Sequence, residues 1–100
     1  MLTEVPRGWD HDPDISNNIP ENLPFKVEDV IYRERIDFEG DPVFDVVIVM
    51  PEKTELKLGW KDRMMPLRRF LWQKFAEKDP ERVLSTDFLT VSDFPQYLRQ

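Results

Sequence analysis

The chain has 100 residues, of which 40% are apolar and 34% charged, and its net charge is −6. This length suits one domain, and no apolar run approaches the roughly 20 residues of a transmembrane helix. The single histidine and the lack of cysteine exclude disulfides, zinc–thiolate sites and any site built on two imidazoles. The first residues also lack the continuous apolar stretch of a signal peptide. We therefore expect a cytoplasmic protein with no membrane partner.

The charges are unevenly distributed along the chain. Residues 1–52 carry four basic and thirteen acidic side chains (−9), residues 53–78 carry eight and three (+5), and residues 79–100 carry two and four (−2). The three regions can neutralise one another across the fold or simply face water. The alternative is a local basic patch that attracts an acidic partner.

Residues 1–24 are predicted to form an irregular N-terminal arm, and residues 25–100 a single domain. Four of the nine prolines fall in the arm and prevent a regular helix or strand there. Six oxygen-bearing side chains have the spacing of ligands in an EF-hand calcium loop: Asp10, Asp12, Asp14, Ser16, Asn18 and Glu21. Ile15 stands where that loop needs glycine, so we expect a solvated acidic loop and no metal or cofactor.

The segment from Val43 to Met50 is the longest run of β-branched and apolar residues. Its two alternating faces both carry apolar groups, which indicates a central strand covered on both sides. An alternating strand over residues 28–38 precedes it, joined by a turn at Glu39–Pro42. A third alternating run, residues 54–60, completes a predicted antiparallel meander.

Helical periodicity follows over residues 62–79, with Pro66 in the first turn. Five residues form its apolar arc: Met64, Leu67, Phe70, Leu71 and Phe75. Beyond Asp79 and Pro80, residues 81–91 fit a fourth strand, with a short helix over residues 80–88 as the alternative. A last helical turn is predicted over residues 94–99.

These elements predict an α+β fold: a small, mainly antiparallel sheet of three or four strands, packed against one amphipathic helix, with a proline-rich N-terminal arm. The apolar second face of the central strand then needs a cover. We expect the arm or the C-terminal tail to supply it, and otherwise a second subunit.

No catalytic motif is present. The serines lack a G-x-S-x-G setting, and three glycines cannot form a phosphate-binding loop. Glu34 on the inner face of a strand and Lys74 in the apolar arc are out of place and could form an ion pair. We expect instead that Lys74 extends its ammonium group to water and that Glu34 lies at a strand edge. Enzymatic activity is not expected.

The leading functional prediction is a non-enzymatic protein-interaction domain, whose partner is another protein or a second copy of the chain. The candidate interaction residues are Trp60, Lys61, Arg63, Arg68, Arg69, Trp72 and Lys74. The alternative is RNA or single-stranded nucleic-acid binding through residues 57–72, where aromatic and basic residues interleave. The net negative charge disfavours binding of a polyanion, and Trp60 and Trp72 are both expected in the core. A small enzyme or enzyme accessory subunit comes third.

Overall fold

The computed structural model describes residues 5–94. They form a four-stranded mixed sheet and three α-helices, so the predicted α+β fold with a mostly antiparallel sheet is confirmed. The strands lie in chain order across the sheet: β1 (Asp10–His11), β2 (Asp29–Ile36), β3 (Pro42–Met50) and β4 (Val83–Thr90). β1 and β3 both pair antiparallel with β2, whereas β4 pairs parallel with β3.

The helices are α1 (Pro13–Ser16), α2 (Trp60–Arg63) and α3 (Met65–Lys78), and a short 3-10 helix spans Val91–Asp93. α2 and α3 lie between β3 and β4, because two parallel neighbours need a crossover connection. α3 is the longest of them, at 14 residues, and within residues 5–94 no helix combines the length and apolarity needed to cross a membrane.

β3 is the central strand, as predicted. Eight of its nine residues are buried, which its run of valine and isoleucine makes favourable on both faces. The turn between β2 and β3 is held by Asp37, whose side chain accepts hydrogen bonds from the backbone N–H groups of Glu39 and Asp41 at 2.9 and 2.8 Å. Gly40 follows with φ of 87°, a conformation that glycine adopts without strain.

The strand predicted at residues 54–60 is wrong. These residues form a loop that ends at Gly59, with Leu58 fully exposed, and Trp60 begins α2. The reason is non-local: β4 pairs with the free side of β3 over eight consecutive residues, so the loop cannot form a meander with β3, the strand that precedes it. The predicted fourth strand is confirmed over its helical alternative. The helical turn predicted over residues 94–99 lies, apart from Phe94, outside the described residues.

The main core lies between the sheet and α3. β2 and β3 contribute Val30, Phe44, Val46 and Ile48, and the helical side contributes Met64, Leu67, Leu71 and Phe75. Ile15 of α1 belongs to the same cluster, at 2% exposure. The N-terminal segment, meaning the described part of the predicted arm (residues 5–24), therefore packs into the core through this residue.

A second, smaller core covers the opposite face of the sheet. Val47 and Val49 of β3 and Ile31 of β2 lie there under Trp9 and Phe94. The cover that the two-faced central strand required thus comes from residues before and after the sheet.

Candidate functional site

An open groove of about 380 Å³ lies between α3 and β4. We call it the α3–β4 groove. It is lined by Met65, Arg68, Arg69, Trp72, Leu84 and Thr86. The four helix residues recur at the spacing of one helix face, and the two strand residues alternate, so they share the face of β4 turned to the helix.

Trp72 is the largest exposed apolar group in the groove. Its side chain is 70% exposed and that of Met65 is 41% exposed. The expectation that Trp72 lies in the core is wrong, because the buried stripe of α3 passes through Leu67, Leu71 and Phe75. A residue directly after Leu71 is turned by about 100° around the helix axis and leaves that stripe.

Arg68 and Arg69 are exposed, and neither lies within ion-pair distance of a carboxylate in the part of the chain that the structure describes. Two lysines further along α3 do pair with carboxylates. Lys74 contacts Asp14 at 3.0 Å and Lys78 contacts Asp12 at 2.6 Å. The groove therefore presents two guanidinium groups beside an exposed indole.

The engaged lysines tie α3 to the N-terminal segment. The hydrogen bond from Lys78 lowers the pKa of Asp12, and the same contact raises the pKa of Lys78. Asp14 likewise raises the pKa of Lys74. Lys74 thus pairs with the exposed carboxylate of Asp14, where we expected its ammonium group to face water, and Glu34 is exposed near Arg82.

The seven predicted interaction residues are therefore divided among several surfaces. Arg68, Arg69 and Trp72 come together in the α3–β4 groove. Trp60 is half-buried, with its ring 5.0 Å from that of Phe88. The remaining three lie outside the groove: Lys61 near the Trp60 ring, Arg63 exposed on α2, and Lys74 beside Asp14.

Three residues that line the groove were not among the predicted interaction residues: Met65, Leu84 and Thr86. Met65 could have been found from the helical spacing of residues 65, 68, 69 and 72, because this spacing marks a second face of the helix beside the buried stripe. No local signal places Leu84 and Thr86 there, because their position depends on the parallel pairing of β4 with β3.

β4 forms one edge of the sheet, and no other described strand pairs with its outer side. Its pairing with β3 is continuous over eight residues, and its only charged residue is Asp87. The opposite edge differs. β1 covers β2 only at Ile31 and Tyr32, and the next three residues of β2 are charged: Arg33, Glu34 and Arg35.

A second cluster joins the N-terminal segment to β2. Asp29 is fully buried, and its Oδ1 accepts hydrogen bonds from Ser16 Oγ at 2.7 Å and from the Val30 N–H at 2.8 Å. His11 Nε2 lies 2.9 Å from Asp29 Oδ1 and 2.9 Å from Ser16 Oγ. A catalytic triad needs the two nitrogens of the imidazole to contact the acid and the serine separately. Here one nitrogen makes both contacts, so the cluster is a structural link.

Two acidic groups of the arm, Asp12 and Asp14, have protein partners as well. Asp12 caps α1 by accepting a hydrogen bond from the Asp14 N–H at 2.9 Å, and Ser16 is bonded to Asp29. Three side chains with calcium-loop spacing therefore contact protein groups that hold α1: Asp12, Ser16 and Asp14, which pairs with Lys74. Asp37, Glu39 and Asp41 lie close together in the β2–β3 turn, where Asp37 fixes the backbone.

Asp45 is the buried charge of the smaller core. Burial raises its pKa, but hydrogen bonds from Arg35 and Arg33 outweigh this effect, so the pKa of Asp45 lies below its ordinary value. Arg33 also lies over the ring of Trp9, 4.6 Å from its centroid. This network supports the sheet face opposite the groove.

Comparisons of the chain with protein-family models, with curated proteins and with solved structures give no match. The function is therefore inferred from the α3–β4 groove and the β4 edge.

Proposed function

We propose that this protein is a non-enzymatic interaction domain that binds an extended segment of another protein as an additional strand at the β4 edge. Strand addition uses backbone hydrogen bonds for affinity and neighbouring side-chain pockets for specificity. β4 and the α3–β4 groove offer both kinds of contact on one side of the molecule. A cytoplasmic location is part of the proposal, supported by a composition that suits a reducing compartment.

The observation that carries this proposal is the difference between the two sheet edges. Exposed edges invite pairing with other chains, and proteins commonly protect them with charges, prolines, bulges or very short strands. The β2 edge has three consecutive charges and a short covering strand. β4 has eight regular residues, one charge, no proline and no bulge in its pairing with β3. Within residues 5–94, Asp87 is the only one of these usual protections that the β4 edge carries, which suits a binding function.

The dimensions of the groove fit a strand. Met65 and Trp72 are seven positions apart on α3, which corresponds to about 10 Å along the helix axis. Side chains on one face of a strand recur every 6.7 Å or so. Two or three side chains of an added strand would therefore lie along the helix.

The test is selection from a displayed library of random peptides of about ten residues, enough to cover β4. Binding of a selected peptide is then measured with proline variants of two adjacent β4 residues, Ser85→Pro and Thr86→Pro. Successive N–H groups of a strand point alternately to its two sides. One variant therefore removes a β4 N–H group that donates to β3, and this destabilises the fold. The other removes only a β4 N–H group that points to the open edge.

We expect the variant that keeps its unfolding transition to lose the peptide. The matched Ser85→Ala variant keeps the N–H group at a residue outside the groove lining and should retain binding. Thr86→Ala keeps the N–H group but shortens a groove side chain, so it should weaken binding less than Thr86→Pro. Undiminished binding by the folded proline variant contradicts strand addition. A concentration-dependent dimer that this variant dissociates would show instead that the edge pairs with a second copy of the chain.

Single-stranded nucleic acid is the second candidate, and one observation favours it. Trp72 is exposed beside Arg68 and Arg69, and such a combination can stack a base and contact phosphate. The net charge of −6 opposes it, because a polyanion is repelled at long range. Under this alternative, Arg68→Glu/Arg69→Glu abolishes binding of a thymidine decamer, and the edge variants leave that binding unchanged.

A further inference from the structure

We infer that the segment bound at β4 carries an acidic residue flanked at alternate positions by apolar residues, with its carboxylate between Arg68 and Arg69 and its apolar side chains against Met65 and Trp72. This inference rests on the proposed strand addition and specifies its partner. The pattern is apolar–x–acidic–x–apolar, written for an extended chain.

Charge complementarity supports the acidic residue. Arg68 and Arg69 are exposed in the groove, and within residues 5–94 neither pairs with a carboxylate. The nearby lysines at positions 74 and 78 already contact aspartates. Guanidinium groups bind carboxylates through two parallel hydrogen bonds, which gives both strength and orientation.

The order of residues along α3 supports the apolar flanks. Met65 lies one turn before the two arginines and Trp72 one turn after Arg68, so charge is at the centre and apolar surface at both ends. Both apolar side chains are substantially exposed, at 41% and 70%. Binding would remove this surface from water, and a tryptophan beside arginine is a typical anchor of protein interfaces.

The spacing of an added strand matches this order. Alternate side chains at positions i, i+2 and i+4 span about 13 Å, close to the roughly 10 Å between Met65 and Trp72. On the β4 side, Leu84 and Thr86 are the neighbours on the same face. The side chains at i+1 and i+3 point to the other face of the sheet, so the groove does not select them.

The probes are three capped heptapeptides of the sequence Thr-Val-Thr-X-Thr-Val-Thr, which differ only in the central residue X. The central residue is glutamate, glutamine or lysine. Titrations are followed by chemical-shift changes of the β4 amides and the Trp72 indole N–H, which detect weak binding. For the wild-type chain we expect the glutamate peptide to bind about tenfold more tightly than the lysine peptide, with glutamine between them.

Charge reversal supplies the decisive comparison. Arg68→Glu/Arg69→Glu should invert the order, so that the lysine peptide binds most tightly. The control variant Lys26→Glu/Lys57→Glu makes the same change in net charge at exposed residues outside the groove, and it should preserve the wild-type order. All four substituted residues are exposed, so both variants should keep the wild-type thermal midpoint to within a few degrees.

The outcomes separate this inference from the proposed function. Equal affinity for the three peptides, lost in the folded proline variant of β4, overturns the acidic preference and leaves strand addition standing. Failure of all three peptides, while library-selected peptides bind at β4, has the same meaning. Binding of the thymidine decamer but of no peptide overturns both proposals and assigns the groove to nucleic acid.

Discussion

Ile15→Ala tests how far the N-terminal segment belongs to the fold. Ile15 is 2% exposed and packs in the main core. The substitution removes three buried carbons, which at about 0.8 kcal/mol each give ~2.4 kcal/mol. A partly collapsed cavity raises the expected loss to about 3 kcal/mol, slightly offset by the better helix propensity of alanine in α1. A loss of this size is a large part of the 5–15 kcal/mol typical of a domain.

The matched control is Ile36→Ala, the same chemical change at a residue that is 59% exposed at the end of β2. We expect it to cost less than about 1 kcal/mol. Urea unfolding, followed by tryptophan fluorescence, measures both variants against the wild type. Equal costs for the two variants, or a cost below about 1 kcal/mol for Ile15→Ala, would refute the conclusion that the segment packs into the core.

Three further predictions concern the helices and the buried charge. Leu71→Ala, at a fully buried position, should lower the free energy of unfolding by about 2–5 kcal/mol. Trp72→Ala should lower it by about 1 kcal/mol or less, because Trp72 is 70% exposed. Thermal unfolding of the two variants measures this contrast. Asp12→Ala removes the cap of α1 and the contact with Lys78, and should lower stability by ~1–2 kcal/mol; Asp12→Asn, which can still cap, should lose less by the same assay. Because the pKa of Asp45 is lowered in the folded state, the unfolded chain binds more protons just below pH 3.8, the ordinary pKa of that group. The ionised Asp45 therefore stabilises the fold above that pH, and this contribution is lost as the pH falls further. In urea titrations, the stability advantage of wild type over Asp45→Asn should shrink below pH 3.8. An advantage that stays constant down to pH 2 or so would contradict a lowered pKa of Asp45 in the folded state.

The elements with strong local signals were predictable from the sequence. β3 begins at Pro42, ends before Pro51 and has apolar residues on both faces, and Gly40 marks the turn before it. The period of α3 likewise shows in its buried stripe. These signals arise within a few residues, so propensity and patterning are sufficient to place the elements.

The failures share a non-local cause. Residues 54–60 alternate as a strand should, yet Leu56 and Leu58 are exposed because β4 already occupies the edge of β3. Alternation shows that a segment could pair, but it does not show which segment wins a given edge. The α3–β4 groove depends on the same pairing, so only its helical half was accessible to sequence reasoning.

The basic stretch at residues 53–78 is divided in the fold in a way that bears on function. Lys74 and Lys78 are paired with aspartates of the N-terminal segment and contribute to holding it against α3. Arg68 and Arg69, on another face of the same helix, remain available beside Trp72. A molecule with a net charge of −6 repels a long polyanion, but over the Debye length of about 8 Å in physiological salt a short ligand responds mainly to the local charge. Two arginines in a groove one strand long therefore favour a brief acidic segment over an extended nucleic acid, and this is the physical reason for placing the protein partner first.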